Sequence, residues 1–546
     1  MRTALSLILT MVMFLAAACH DPPVVPGPDA FRVTFVGQPS LGTPEQPLEF
    51  VVDRASPATF KVDIEAMDRG QPDPTYNGWV VLTVRPICPR FEDQVQKFVK
   101  LSGGKAQGAE INVFRVAGSV RVIAREVGHV EAASLDTAAC NNGIDDDGDG
   151  FIDMDDRGCF VGSDDTEMGG TGGTGASDPI LFSNPTMAQV QQPILGETGD
   201  GSPLDTCSVK VDRGWMLVTR ITNDGLYLTD YEGATWDAAG ERWTITGDTI
   251  AYGSMFAYNY STPINLLEGD CLVEIDGQVD EFFGFTELGK PTWKKGDFGY
   301  CGVKGFLAGL TDVCPDKETA GECCDMACVE QKQAQEADDQ QVAAACCQTS
   351  KCPNDFACID YKCRPDPTTA KHKLCRQRIE GLANTPAELT KLMRKDVQGV
   401  DRSVWNQTYM MTEPFESALV QVTDVTVFTE ARRCDVDGDQ LVNYSNEQEK
   451  QCANDCGSLT GCVVWETYNR YGQWTVSFKD GEDKEQELNV VTLGAIEDFD
   501  PLKLPGSKTK TLNKLVGNLR HLIFGRPAWI ISPRSSEDCP QCKDDD

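Results

Sequence analysis

Twenty-three cysteines in 546 residues limit what this chain can fold into more than any other feature. They follow an N-terminal run, MRTALSLILTMVMFLAAAC, with one basic residue, an apolar stretch and small residues before Cys19. That is the pattern of a secretion signal, too short and wrongly flanked for a spanning helix. Exported cysteines at this density form a disulfide framework rather than a set of thiols. Setting Cys19 aside leaves an even number, as paired cystines require. The sequence has no other long apolar segment, so the mature chain is expected to be anchored to a membrane or soluble, not to span it.

Two cysteine pairs bracket acidic loops. The first, Cys140 to Cys159, reads CNNGIDDDGDGFIDMDDRGC. Its Asp145, Asp147, Asp149, Asp153 and Asp156 fall at positions one, three, five, nine and twelve of a tight loop. Gly150 sits at position six, where a sharp turn needs it, and Phe151 offers a backbone carbonyl at position seven. A hard cation takes ~6–8 oxygen ligands, and this spacing supplies most of them. The loop resembles those of EF-hands and of thrombospondin type 3 repeats, which implies Ca²⁺ as the cofactor. The competing reading is a solvated acidic linker. If calcium fills the loop, it is expected to stiffen the joint between the domains on either side.

The second loop, CDVDGDQLVNYSNEQEKQC, runs from Cys434 to Cys452. Asp435, Asp437, Asp439, Asn443 and then Asn446 or Glu447 are its oxygen ligands, with the Leu441 carbonyl at position seven. It resembles the calcium loop of dockerins, an EF-hand relative. Gln440 replaces the usual glycine at position six, and Asn446 stands where an acid is expected; both departures weaken the site. One half-motif does not imply the dockerin's protein partner.

The net charge of −35 argues against nucleic acid as a partner, because phosphate binding needs clustered Lys and Arg. Four scattered histidines, His20, His129, His372 and His521, leave little material for imidazole acid–base work or a three-histidine metal site. No G-x-S-x-G, H-E-x-x-H or P-loop occurs, so an enzymatic reading has no motif behind it.

The expected architecture is mainly β: an Ig-like sandwich, an Asp-rich calcium loop, and two OB-like barrels separated by a disulfide-rich helical segment. Residues 1–19 are the signal, and Ala16-Ala17-Ala18-Cys19 resembles a bacterial lipobox, which implies lipidation of Cys19. Residues 20–30 are a Pro-rich tether. Residues 31–135 alternate in short strands with Gly, Pro and Asn turns and resemble a bacterial Ig-like spacer. The loop at 140–159 follows, then a Gly-rich linker at 160–180 whose GGTGGTG lacks the strand–helix setting of a nucleotide site.

Residues 205–295, with NDGLYLTD and EGDCLVEIDGQVDEFFGFTEL, resemble the OB-like domains that accompany secreted bacterial endonucleases. Trp215, Tyr227, Phe282, Phe283 and Phe285 supply aromatics there, but most are expected in the core and the segment is acidic. Cys207 and Cys271 are candidates for a bridge between its first and fourth strands. Residues 301–375 read as a helical hairpin stapled by cystines, zinc being the alternative. Their odd cysteine count points to one long-range bridge involving Cys88. Residues 405–535 are a second OB-like barrel carrying the second Asp loop, and Cys539-Pro-Gln-Cys542 is a structural staple.

The function these features imply is a non-catalytic, calcium-binding lipoprotein of a bacterial envelope, in the outer membrane or at the cell surface. It is expected to bind or scaffold an envelope protein or glycan. The alternative is an accessory part of an extracellular nuclease or hydrolase system handling nucleic acid or glycan.

Overall fold

The computed structural model describes residues 28–128, 130–144, 146, 152–155, 159, 161–167, 173–194, 201–296, 328, 331–332, 346, 348, 352, 356–359, 362–365, 368–389, 413–456, 462–479, 485–492, 495–496, 509–524 and 526–542. The fold is mainly β and divides into two compact units, residues 1–183 and 184–546.

In the first unit, alternation in Ala58–Asp68 (ATFKVDIEAMD) buries Phe60, Val62, Ile64 and Ala66 on one face. This strand pairs antiparallel with Ala30–Phe35 and with Lys105–Val113. A second antiparallel group comprises Lys97–Lys100, Trp79–Arg85 and Gly118–Val127. Phe31, Ile64 and Ile111 from one group and Leu82, Val84 and Val122 from the other share one core.

The two groups are joined by Thr174–Ala176, which pairs parallel with Ala30 and antiparallel with Ile123–Arg125. The sequence reading places this stretch in a linker. The structure makes it a strand, and the first unit continues to Ser183. Gly175 gives the reason: a Cβ there would lie 1.8 Å from the Phe31 carbonyl oxygen, so close backbone approach requires the glycine. The first Asp loop therefore lies inside this unit, ahead of its last strands, and is not a joint between the sandwich and the barrels.

The second unit holds two closed five-stranded barrels. The first consists of β1 (Met216–Ile221), β2 (Gly225–Asp230), β3 (Ser254–Tyr258), β4 (Cys271–Phe282) and β5 (Phe285–Lys295). It closes in the order β1-β2-β3-β5-β4-β1, with β3 and β5 parallel. The second consists of β6 (Leu419–Phe428), β7 (Gln473–Lys479), β8 (Glu485–Val491), β9 (Thr509–Phe524) and β10 (Arg526–Ser532). Its order is β6-β7-β8-β10-β9-β6, with β8 and β10 parallel, so one strand path is used twice. Closing the ring removes the open edges that a flat sheet would expose.

One expected disulfide is excluded by register. The Val279 N–H on β4 donates to the Cys207 carbonyl at 2.9 Å, while Cys271 begins the same strand. At ~3.3 Å per residue the two lie on the order of 25 Å apart along β4, against the ~7 Å that a cystine allows between Cα atoms. Both cysteines are disulfide-bonded, as is Cys88, so Cys207 and Cys271 each have some other partner. Cys207 directly precedes the strand Ser208–Val211, which pairs with β4, and only the pairing register shows which ends meet.

In the Cys-rich segment the bridges Cys328–Cys346 and Cys352–Cys363 are formed. Phe356–Ile359 and Lys362–Pro365 make a two-stranded ribbon, tied down through Cys363, while most of the Ala- and Gln-rich stretch expected to be helical lies outside the described residues. The helix Ala370–Ala383 then packs Ile379 and Leu382 into an apolar cluster shared with Val420 and Trp474 of the second barrel and Leu217 of the first. Asp270, only 1% exposed, is held by Lys295 at 2.6 Å and by Arg376 of that helix at 3.6 Å. Cys539 and Cys542 are bridged in the turn after β10.

Candidate metal centre

Both acidic loops are closed by cystines, Cys140–Cys159 and Cys434–Cys452, with Cα atoms 5.6 and 5.5 Å apart. Loop closure removes conformational freedom that a cation would otherwise have to overcome. The second loop is described throughout. Asp435 Oδ1 accepts from the Gly438 N–H at 2.6 Å and Oδ2 from the Gln440 N–H at 2.9 Å. Asp437 Oδ1 accepts from Asp439 N–H at 3.2 Å, and Asp439 Oδ1 from Leu441 N–H at 2.8 Å. These short-range bonds wind the chain into a tight coil that gathers Asp435 and Asp437 and leaves Asp439 exposed outside the group. Gln440 takes φ +66°, the left-handed conformation that a glycine at position six adopts without cost.

The third acid of the centre is not one the spacing selects. Carboxylate oxygens of Asp435, Asp437 and Glu449 all lie within 4.8 Å of one another. Glu449 is fully buried; its Oε1 accepts from the Val436 N–H at 3.0 Å and its Oε2 from the Asn443 N–H at 2.7 Å. One carboxylate thus fixes the second and ninth positions of the loop and keeps lone pairs on both oxygens for a cation. Glu447, in contrast, is 85% exposed and pairs with Lys450 at 3.5 Å. Asn446 Oδ1 accepts from Gln448 N–H at 3.0 Å and serves as a cap for the helix Glu447–Cys456. Asn443 Oδ1 likewise accepts locally, from Ser445 N–H at 3.0 Å.

Neighbouring groups shift the two aspartates in opposite directions. The N–H groups of Gly438 and then Gln440 hold the Asp435 carboxyl below its ordinary range. The Asp439 N–H pulls Asp437 down, but desolvation and the carboxylates of Asp439, Glu449 and Asp435 leave it raised.

The first loop repeats this plan where it can be followed. Glu167, 1% exposed, accepts from the Asp146 N–H through Oε2 at 2.6 Å and from the Asp153 N–H through Oε1 at 2.7 Å. Counted from Asp145, those are again the second and ninth positions. Asp153 accepts from the Gly143 N–H with both oxygens, at 3.0 and 3.2 Å. Asp145, Asp147, Asp149, Phe151 and Asp156 lie outside the described residues, as does Cys19.

Sequence spacing therefore selects the aspartates and misses both glutamates. For Glu449 a signal exists: Glu449, Cys452, Ala453 and Cys456 follow i, i+3, i+4, i+7, one face of a helix, whereas Glu447 lies off it. For Glu167, beyond the closing cystine, no spacing signal exists.

The aromatics of the first barrel are mostly spoken for. Tyr227 and Phe285 are buried against Phe256, with ring centroids 4.8 and 5.8 Å away, and the Arg520 guanidinium lies 5.0 Å from the Phe285 ring. Phe282 and Phe283, at the β4–β5 turn, are about half exposed. No protein-family model, curated protein or solved structure matches the chain.

Proposed function

We propose that this chain is a non-catalytic, calcium-binding lipoprotein of a bacterial envelope. Its Ig-like unit and OB-like barrels act as a binding or scaffolding module for an envelope protein or glycan. The observation that carries the reading is the pair of cystine-closed acidic loops, each with a buried glutamate holding the same two backbone N–H groups. Carboxylates gathered this way suit a hard cation with oxygen ligands, and extracellular calcium modules work at ~10⁻⁴–10⁻³ M, a range of structural occupancy rather than signalling. The lipobox-like Ala16 to Cys19 supports the anchor, and the repeated strand order of the two barrels supports a tandem module. The acidic balance argues against a nucleic-acid partner.

The test uses envelope-bound protein. In calcium, protease leaves both loops intact. In EDTA, cleavage falls within residues 140–159 and 434–452 while the barrels survive, and Cys19→Ala releases the chain into the soluble fraction. Loops equally resistant in EDTA, or a Cys19→Ala variant still held in the membrane, would count against the reading.

A further inference from the structure

A second group of ligand-type side chains lies far from the acidic loops, where the two barrels of the second unit meet. Glu413 and Glu416 occupy one turn of a 3₁₀ helix, Glu413–Phe415, closed by the Glu416 N–H donating to the Glu413 carbonyl at 3.1 Å. His521 projects from β9. The three side chains are 6%, 2% and 0% exposed, and one donor atom from each lies within 4.8 Å of the other two.

We propose that Glu413, Glu416 and His521 hold one divalent transition ion of the zinc class, which pins the second barrel to the β4–β5 hairpin of the first. The donor set distinguishes this place from the acidic loops. Calcium takes ~6–8 oxygens, whereas one imidazole nitrogen with two carboxylates suits zinc and its neighbours, which bind with three protein ligands and one further position.

The imidazole is set for ligation. His521 Nδ1 lies 2.8 Å from the Gly284 carbonyl oxygen, and because a carbonyl only accepts, Nδ1 carries the proton. Nε2 is then the basic nitrogen. A backbone carbonyl orienting a metal-ligating imidazole in this way is the usual outer-shell arrangement. The ring is also stacked on Trp529, with centroids 4.6 Å apart, which fixes its plane. Glu416 is positioned from the other barrel: its Oε1 accepts from the Thr286 N–H on β5 at 3.1 Å. The turn itself is held by the Tyr252 N–H donating to the Pro414 carbonyl at 2.6 Å. Backbone groups of the first barrel thus orient ligands carried by the second. Two carboxylates this close and this buried repel each other when both are charged, and a divalent ion replaces that repulsion with attraction to both.

The test is elemental analysis of the full chain, exported with its cystines formed, after dialysis against EDTA. Exposed calcium loops empty under that treatment and a buried ion stays. About one zinc-class ion per chain is expected. Refolding with Co²⁺ should give visible ligand-field bands, and X-ray absorption should show nitrogen and oxygen neighbours without sulfur.

Glu416→Gln keeps the side-chain volume and should lower retained metal at least tenfold, with calcium heats unchanged. His521→Gln should do the same if it folds. A natively folded wild type that takes up no transition ion on purification or refolding overturns the proposal. Sulfur in the absorption spectrum overturns it by assigning the ion to cysteines. Full metal retention in Glu416→Gln also overturns it. A metal-free wild type that Glu413→Gln or Glu416→Gln stabilises would instead identify a carboxyl pair sharing a proton.

Discussion

Replacing Glu449 with Gln tests the organisation of the second acidic loop, because the change is isosteric and the structure predicts its effect. The carboxylate accepts two backbone N–H groups, at 3.0 and 2.7 Å, from a site with no solvent exposure. Hydrogen bonds to a charged group contribute ~1.5–3 kcal/mol, and a buried N–H left without an acceptor costs ~1–3 kcal/mol. The Gln carbonyl satisfies one N–H, while its NH₂ group faces the other. A loss of about 2–4 kcal/mol in local stability follows in saturating calcium, where the variant also gives up one charged ligand.

In EDTA the loss should shrink, because removing Glu449 relieves the crowding that keeps Asp437 raised. Hydrogen exchange of peptides covering Val436 to Asn443 reads this directly. In calcium, exchange should quicken by roughly 30- to 1000-fold at ~1.4 kcal/mol per decade. Glu447→Gln, on the exposed side of the same helix, should change protection by less than about 0.5 kcal/mol. Equal effects of the two substitutions in calcium would refute the assignment of Glu449 as the organising acid.

Three further outcomes follow from particular side chains. Gln440→Gly removes a left-handed strain of ~1–2 kcal/mol against an unfolded-state cost of ~0.5–1 kcal/mol; tighter calcium binding and a gain of about 0.5–1 kcal/mol in urea unfolding are expected. Burial pushes the Glu287 carboxyl up from 4.5 to about 7, with Arg520 opposing and Asp280, Asp224 and Glu281 adding to the rise. The fold thus favours its neutral form. This contribution to stability is full below pH 4.5 and is lost as the pH rises through 7; at ~1.36 kcal/mol per unit, discounted for partial exposure, the loss is about 1–2 kcal/mol. Urea midpoints at pH 5 and pH 8 should differ less in Glu287→Gln than in the wild type. Asp270→Ala removes the buried acceptor of Lys295, Arg376 and the Leu267 N–H and should cost ~1.5–3 kcal/mol in thermal or urea unfolding, against less than ~1 kcal/mol for Asp237→Ala, whose partner Arg242 lies at the surface.

What could be read from the sequence was what lies close along the chain. The aspartates of each loop, their bracketing cysteines and the short alternating strands are all local, and each has a spacing dictated by turn, cystine or pleat geometry. The barrels' closure was not legible, because which strand ends meet depends on register: Cys207, just before the strand Ser208–Val211, lies beside Val279, near the far end of β4 from Cys271. Thr174–Ala176 was hidden by its glycines, which suggest a linker but are needed for contact with Phe31. Glu449 could have been found from its helical phase with Cys452 and Cys456. Glu167 could not, because it reaches its loop from beyond the cystine. His521 and the Glu413–Glu416 turn are brought together by the pairing of β6 with β9 and oriented by backbone groups of the first barrel, neither of which spacing along the chain reveals.

The central claim, that two glutamate-braced acidic loops bind calcium, is tested most directly by calorimetric titration of the full chain with CaCl₂ after removal of divalent ions. The account predicts two sites per chain in the ~10⁻⁴–10⁻³ M range typical of extracellular modules, with magnesium a poor competitor because it demands octahedral geometry and sheds water reluctantly. Glu449→Gln should remove one of the two sites, and Glu449→Gln combined with Glu167→Gln should remove both. A wild type that gives no heat and gains no protease protection up to ~10 mM calcium, well above that range, would contradict the account and leave the loops as solvated acidic surface.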